Sequence, residues 1–167
     1  MLDHKQRVPG KSRRVTHSED LADEFLTASR VLVGLAVHSL AASPVEITLV
    51  QHRVLVLLAA HGELTVGAVA TELGVNPSNA TRHCDRLQRL GLVDRRRCDE
   101  DGRVVRVALT GDGRHVVAAV SEARRRDVVR VLDAMPDQER PTMVKALRAF
   151  SEAAREPADR DWATNIW

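Results

Sequence analysis

Polar side chains suited to hydrogen bonding with a nucleic acid are concentrated between residues 76 and 91. At about 100° per residue of an α-helix, one face and its flanks carry Ser78, Asn79, Thr81, Arg82, Asp85, Arg86 and Arg89. Hydroxyl, amide and guanidinium groups form hydrogen bonds with base edges and with phosphate oxygens. The segment therefore predicts a helix that presents a polar face to DNA, although an ordinary amphipathic surface helix has a similar pattern.

The opposite face of this helix is predicted to be buried, and it carries Ala80, Cys84, Leu87 and Gly91. Asn76 is a favourable N-cap, and Pro77 suits the first helical position. A shorter helix, from about Val66 to Leu73, ends at Gly74 just before it. Two short helices joined by a tight turn make a helix-turn-helix, whose second helix enters the major groove of DNA.

A β-hairpin is predicted directly after this unit. Its strands run from Leu92 to about Cys98 and from Val104 to about Leu109, around the turn sequence DEDG. Basic side chains lie on both sides of the turn, namely Arg95, Arg96, Arg97 and Arg103. An arginine near the tip of such a wing is suited to a minor groove, and Asp101 can pair with Arg103 and orient it. A surface ion pair of little energetic value is the alternative.

Four further helices are predicted around this unit, from about Ser18 to Ala41, Leu49 to His61, Thr110 to Met135 and Asp137 to Arg155. Thr48 can cap the second of these helices. That helix is apolar nearly all round, so we expect it to be central and buried. The fold class is therefore mainly α with a small β-hairpin wing, a winged helix-turn-helix combined with a helical region formed by the first and last helices.

The chain divides into five expected segments: a disordered basic arm (1–17), an N-terminal helix and linker (18–47), the winged helix-turn-helix (48–110), C-terminal helices (111–156) and a tail (157–167). The arm carries five basic residues against one aspartate, so it can add non-specific phosphate contacts. A solvated surface with a flexible tail is the alternative interpretation of the charge distribution.

Composition narrows the class of protein. Hydrophobic residues make up 44% and charged residues 29%, which is typical of a soluble globular protein. No apolar run is expected to approach the roughly 18 residues of a membrane span, and the polar start suggests no secretory signal. A cytoplasmic location is the expectation. Two cysteines, Cys84 and Cys98, make no disulfide framework.

Over about residues 21–150 the sequence resembles the MarR family of bacterial transcription regulators. The matching segments are LVQHRVLVLL, LTVGAVATELG, NPSNATRHCDRLQRLGLV and DEDGRVVRVALT. The spacing from Asp101 and Arg103 to Leu109 and Thr110 matches the wing of the family. Each segment is weak evidence by itself, whereas the combination is specific.

The resemblance implies a homodimer in which each winged module binds half of a palindromic operator in double-stranded DNA. By analogy, Ser78, Asn79, Thr81 and Arg82 contact bases, Arg86 and Arg95 to Arg97 contact phosphates, and Arg103 enters the minor groove. The first and last helices form the dimerisation part. Apolar residues of the last two helices support this: Val116, Val117, Val120, Val128, Val131, Leu132, Leu147 and Phe150. Packing within one chain is the alternative.

The family binds small effectors between its dimerisation and DNA-binding parts. This chain has no Tyr and only two Phe and two Trp, so stacking on an aromatic ligand has little support. A small apolar effector remains compatible, with His38, His52 and Arg86 as the candidate polar groups. Release of a repressor by such an effector is the expected mechanism.

Other chemistry has less support. The seven histidines show no zinc-ligand spacing, so neither a metal nor another cofactor is expected. We expect Cys84 to be a packed, inert thiol, while Cys98 near the wing tip is a minor redox candidate. No catalytic constellation is visible, so an enzyme is not expected. The alternative function is an architectural or protein-interaction winged helix with little sequence preference.

Overall fold

The computed structural model describes residues 12–97 and 104–154 of the chain. Six helices are present in these ranges: α1 (Ser12–Ser39), α2 (Leu49–His61), α3 (Val66–Leu73), α4 (Pro77–Arg89), α5 (Gly111–Asp133) and α6 (Arg140–Ala154). The strands are β1 (Leu64–Thr65), β2 (Val93–Arg97) and β3 (Val105–Leu109). A short 3₁₀ turn at Leu40–Ala42 follows α1, and a second one at Asp137–Glu139 precedes α6. This mainly helical fold with a small antiparallel sheet confirms the predicted fold class.

The three strands form an antiparallel sheet in the order β1-β3-β2. The β2–β3 hairpin confirms the predicted wing, with Arg95 opposite Val107 and Arg96 opposite Arg106. Strand β1 was not predicted, because two residues are too short for an alternating pattern to show. It pairs Leu64 with Val107 and so anchors the wing to the end of α2.

The core lies around α2, as predicted. Val54 and Leu55 are fully buried, and they pack with buried residues of α3, α4, α5, β2 and β3. The helix begins with a capping box, in which Gln51 N donates to Thr48 Oγ1 and Thr48 N donates to Gln51 Oε1. Reciprocal bonds of this kind satisfy backbone donors that the first turn leaves unpaired. The Thr48 prediction is therefore confirmed.

Helix α1 begins at Ser12 and not at Ser18, so the predicted limit of the disordered arm at residue 17 was wrong. The segment from Ser12 to His17 contains neither Gly nor Pro, and the breaking pair Pro9-Gly10 precedes it. No helix-breaking residue therefore lies between Ser12 and Ser18, and the helix includes the whole segment.

The expectation that no apolar segment approaches membrane-spanning length was also wrong. The helical stretch Glu19–Ala42 is long and apolar enough to span a membrane, with a mean hydropathy of 1.5 and 6% of the apolar window buried. Length and composition are the only basis for this, and core helices of globular proteins meet the same criterion.

The chain forms two compact units, residues 1–35 and 36–167. In the first unit, α1 exposes Leu26, Val31 and Leu32. In the second unit, Val116, Val117 and Val120 of α5 are fully buried in the core of their own chain. These three valines were expected to supply a dimer surface, and that expectation was wrong. The exposed apolar residues of the last two helices are instead Val129, Val131, Val144, Leu147 and Phe150.

Candidate nucleic-acid interface

The turn between α3 and α4 is built from local signals. Thr65 caps α3, since its Oγ1 accepts from Ala68 N at 3.1 Å. Gly74 ends α3 at φ 63°, a left-handed conformation that glycine adopts without steric cost. Asn76 then caps α4, as predicted, with its Oδ1 accepting from Asn79 N at 2.9 Å. These local bonds fix where α3 ends and where α4 begins, and so set the tight turn of a helix-turn-helix.

One face of α4 is sealed in the core. Ala80, Cys84 and Leu87 have no exposed surface, which confirms three of the four residues predicted for this face. Gly91 is exposed and lies after the helix at φ 72°, so its assignment to the buried face was wrong. Burial raises the pKa of the Cys84 thiol above its usual value, which keeps the thiol protonated and unreactive.

The opposite face of α4 carries polar groups that are partly ordered by one another. Ser78 Oγ donates to Asn76 Oδ1 at 2.7 Å, and Thr81 Oγ1 donates to the Pro77 carbonyl at 2.9 Å. The Arg82 guanidinium donates to Asn79 Oδ1. Both hydroxyls therefore have lone pairs left to accept from a ligand, while the arginine reaches back to Asn79 in the first turn of the helix.

The second half of α4 is connected to the wing. Arg86 and Arg89 are exposed, whereas Asp85 is half-buried and forms an ion pair with Arg95 of β2. The Arg95 side chain is only 18% exposed. Its expected contact with phosphate stays a prediction, and such a contact would have to displace Asp85. In the described structure Arg95 links the wing to α4.

The outer face of the wing carries a three-residue ion-pair network. Glu63 Oε2 accepts from Arg96 Nη2 at 3.0 Å, and Glu63 Oε1 lies 3.7 Å from Arg106 Nε. Arg97 is exposed at the last described position of β2. The predicted tip residues Asp101 and Arg103, together with Cys98, lie outside the described residues.

Two residues of this surface, Glu63 and Arg106, were not among the sequence candidates. Arg106 had a signal, because it lies between Val105 and Val107 in the alternating pattern of β3 and is exposed. Glu63 had none, since it was placed in a link and its partner Arg96 is 33 residues away.

Two of the candidate effector residues, His38 and His52, have charged residues of α5 as neighbours. Arg124 Nε donates to the buried Ser39 Oγ at 3.5 Å, and the neighbouring His38 Nδ1 lies 2.7 Å from Asp127 Oδ2. Hydrogen bonds from His38 and Arg130 hold the pKa of Asp127 below its usual value. Arg86 is exposed on α4, and the His38 side chain is also largely exposed.

His52 is the most deeply buried of the three candidate effector residues, with 3% of its surface exposed. Its Nε2 atom has no hydrogen-bond partner among the described residues. Burial, and then the positive charges of Arg124 and Arg53, lower the pKa of His52 to about 4. His52 is therefore neutral at physiological pH. No cluster of three or more metal-ligating side chains occurs in the described ranges.

Comparisons with known proteins agree with this geometry. The sequence model of the MarR family matches residues 46–114. The HTH-type transcriptional regulator YfiV of Bacillus subtilis is 32% identical over 65% of this chain and 68% of its own. The HTH-type transcriptional repressor MdtR of the same organism is 32% identical over 72% of this chain and 75% of its own. The crystal structure of RV1404 from Mycobacterium tuberculosis is 40% identical, with a TM-score of 0.77 over 90% of this chain and 99% of that one.

Proposed function

This chain belongs to the MarR family of DNA-binding transcriptional regulators, and from that premise we propose that it is a repressor that binds a palindromic operator as a homodimer. The observation that carries the proposal is the α4 surface. Its inner face is sealed by Ala80, Cys84 and Leu87, and its outer face offers hydroxyl, amide and guanidinium groups beside an arginine-bearing wing. That arrangement suits insertion into a major groove with the wing beside it.

The residue roles follow from this docking geometry. We assign base contacts to Ser78, Asn79, Thr81 and Arg82, because they lie in the first two turns of α4. Phosphate contacts belong to Arg86, Arg96 and Arg97, which are exposed. Arg95 takes part through its ion pair with Asp85, which positions the wing. Arg103 at the tip is assigned to the minor groove, with Asp101 orienting it.

Operator binding is tested by fluorescence anisotropy with a duplex from the gene's own upstream region and a scrambled duplex, at two salt concentrations. A specific regulator binds its operator on the order of a thousandfold or more tightly than scrambled DNA. Equal, salt-sensitive binding to several upstream and scrambled duplexes would favour the alternative, an architectural module without sequence preference.

The Arg82→Ala variant is expected to lose roughly 10- to 100-fold in operator affinity, because one good base contact contributes about 1–3 kcal/mol. Binding to the scrambled duplex is expected to change much less. Arg125→Ala removes the same charge from an exposed position of α5 and serves as the control. Equal losses on the operator and the scrambled duplex would remove Arg82 from the base contacts.

A dimer interface on α1, α5 and α6 is supported by exposed apolar side chains. Val37, Val131, Val144 and Leu147 each leave between 43% and 54% of their surface in water. Burying such surface against a second copy is favourable at about 25 cal/mol per Å². Membership of the family adds to this support.

The dimer is tested by the solution mass, expected at twice the chain mass of 18.4 kDa. We expect Leu147→Glu to shift the mass toward one chain at micromolar concentration, because a charge cannot be buried there without a partner. Val50→Glu, at an equally exposed valine of α2, is the matched control and should leave the mass unchanged. A monomeric wild type, or equal behaviour of the two variants, would contradict the assigned interface.

We further propose that a small apolar effector releases the repressor by changing the separation of the two α4 helices. His38 and His52 are the polar groups proposed near its site, supported by the Nε2 atom of the buried His52, unpartnered among the described residues, and by the pairing of His38 with Asp127 of α5. Coupling of 1–3 kcal/mol between the effector and DNA is sufficient for regulation. The anisotropy assay screens for such a compound directly.

A further inference from the structure

We propose that Glu63 limits the affinity of the wing for DNA. Its carboxylate forms ion pairs with Arg96 and Arg106, which would otherwise be available to bind phosphate. The inference rests on the proposed DNA binding and adds to it a residue outside the helix-turn-helix and the hairpin. It concerns the electrostatic part of the affinity, which is independent of base sequence.

The strand register places the two arginines in an unfavourable pair. Arg96 of β2 lies directly opposite Arg106 of β3. Like charges in directly opposed positions of antiparallel strands are destabilising. The two oxygens of the Glu63 carboxylate meet one guanidinium each, at 3.0 Å and 3.7 Å. One carboxylate therefore screens a repulsive pair and leaves the cluster with a single net positive charge.

The backbone on both sides of Glu63 holds the carboxylate in place. Before it, Gly62 ends α2 at φ 75° and its N–H donates to the Leu58 carbonyl at 3.0 Å. After it, Leu64 pairs with Val107 of the wing. Glu63 is thus fixed beside the sheet by two anchors, and the screening requires little additional ordering of the chain.

The relative exposure of the three side chains favours exchange with phosphate. Glu63 leaves 31% of its side chain in water, compared with 73% for Arg96 and 48% for Arg106. Each guanidinium therefore retains an open side toward solvent. A phosphate competes with the carboxylate for the same charge-assisted N–H donors. A phosphate that binds at the wing must therefore displace the Glu63 carboxylate from ion pairs that are present in the free protein.

Glu63→Gln is the direct test, because it removes the charge and keeps the shape. Anisotropy titrations with the scrambled duplex over a range of salt concentrations give the slope of log affinity against log salt. Each freed arginine that gains a phosphate steepens that slope by about 0.9. We expect a slope steeper by roughly 0.9 to 1.8 and roughly tenfold tighter binding at 0.1 M salt.

Glu122→Gln is the matched control, because Glu122 also accepts from an arginine, Arg126 at 3.4 Å, but lies on α5. It makes the same change in net charge and is expected to leave the slope at the wild-type value. Introducing Glu63→Gln into an Arg96→Gln/Arg106→Gln chain completes a cycle, and there the gain in affinity should disappear.

Three outcomes separate the hypotheses. Identical slopes for Glu63→Gln and Glu122→Gln would overturn the role of Glu63 while leaving the proposed function intact. A gain that persists without both arginines would overturn it as well, since the carboxylate would then act elsewhere. Absence of wild-type binding to every duplex tested would overturn the proposed function itself, and the Glu63 inference with it.

Discussion

Replacing Gly113 by alanine is expected to destabilise the fold by about 3 kcal/mol, within the range of overpacking a closed site. A Cβ atom at this position would lie 2.1 Å from the Leu92 carbonyl oxygen and 2.9 Å from Leu109 Cδ2. The first of these neighbours is backbone, so relief requires α5 to move away from the segment that follows α4. The change is expected to lower the midpoint of urea unfolding measured by circular dichroism.

Gly111 is the matched control, two residues earlier in the same helix. A Cβ there meets nothing within 4 Å. Gly111→Ala is therefore expected to be neutral or to stabilise by up to about 1 kcal/mol, through the higher helix propensity of alanine. Equal effects of the two substitutions would show that the close approach at Gly113 has no energetic weight.

The close approach at Gly113 is held by Thr110, the N-cap of α5. Thr110 Oγ1 accepts from Gly113 N at 3.0 Å and donates to the Gly91 carbonyl at 2.7 Å. Thr110 N donates to the Leu92 carbonyl at 3.2 Å. The first of these bonds closes the α5 cap, and the other two connect the start of α5 to Gly91 and Leu92, which lie between α4 and the wing. The space for a side chain at Gly113 is closed by the same contacts.

Acidification from pH 7 to pH 4 is expected to remove roughly 3 kcal/mol of stability through His52 alone, at about 1.4 kcal/mol per unit of pKa difference. The pKa of His52 is lowered from 6.5 to about 4 in the folded chain. As the pH falls below 6.5, His52 becomes protonated in the unfolded chain but stays neutral in the folded chain until the pH approaches 4. The stability contributed by neutral His52 is therefore present above pH 6.5 and is lost progressively down to pH 4.

The measurement is urea unfolding at pH 7, 6, 5 and 4 for the wild type, His52→Gln and His61→Gln. Carboxylates titrate in all three proteins, so the informative quantity is the difference from wild type at each pH. That difference should change by roughly 3 kcal/mol for His52→Gln, and His61→Gln, at an exposed histidine of the same helix, is the control. His52→Leu serves as a second variant if the glutamine variant does not fold. Parallel profiles for wild type and His52 variants would contradict the prediction.

Asp127 titrates in a different window and can be separated from this effect. Its pKa is lowered from the usual value of 3.8 by hydrogen bonds from His38 and Arg130. A carboxylate with a lowered pKa stabilises the folded chain above the unfolded value and loses that contribution as the pH falls further. Its loss therefore begins near the lower limit of the range in which His52 acts.

Elements with strong local signals were predicted closely from the sequence. Thr48 and Asn76 were identified as N-caps, and each side chain accepts a backbone N–H at the start of its helix. A cap is decided within about four residues, so the sequence contains the whole interaction. The start of α1 was missed because no Gly or Pro between residues 12 and 17 marks where the helix begins.

The partners of the charged side chains were not predictable in the same way. Helical spacing places Asp85 on the polar face of α4, but its pair with Arg95 and the pair of Arg96 with Glu63 join separate elements. Their formation depends on how β1 and α4 pack against the hairpin. For α5, a helical stripe of valines predicts burial without saying against what, and Val116, Val117 and Val120 proved to belong to the core of their own chain.

The hydrogen bond between Thr110 and Gly91 also joins the start of the long helix α5 to the segment that follows α4. The helix has 23 residues and is therefore about 33 Å long. Because its first turn is clamped beside the end of α4, a tilt of roughly 3° at that clamp displaces the far end, near Asp133, by roughly 2 Å over this length. The same geometry holds in reverse: a displacement of the far end by about 2 Å corresponds to a rotation of about 3° at the contact beside the end of α4.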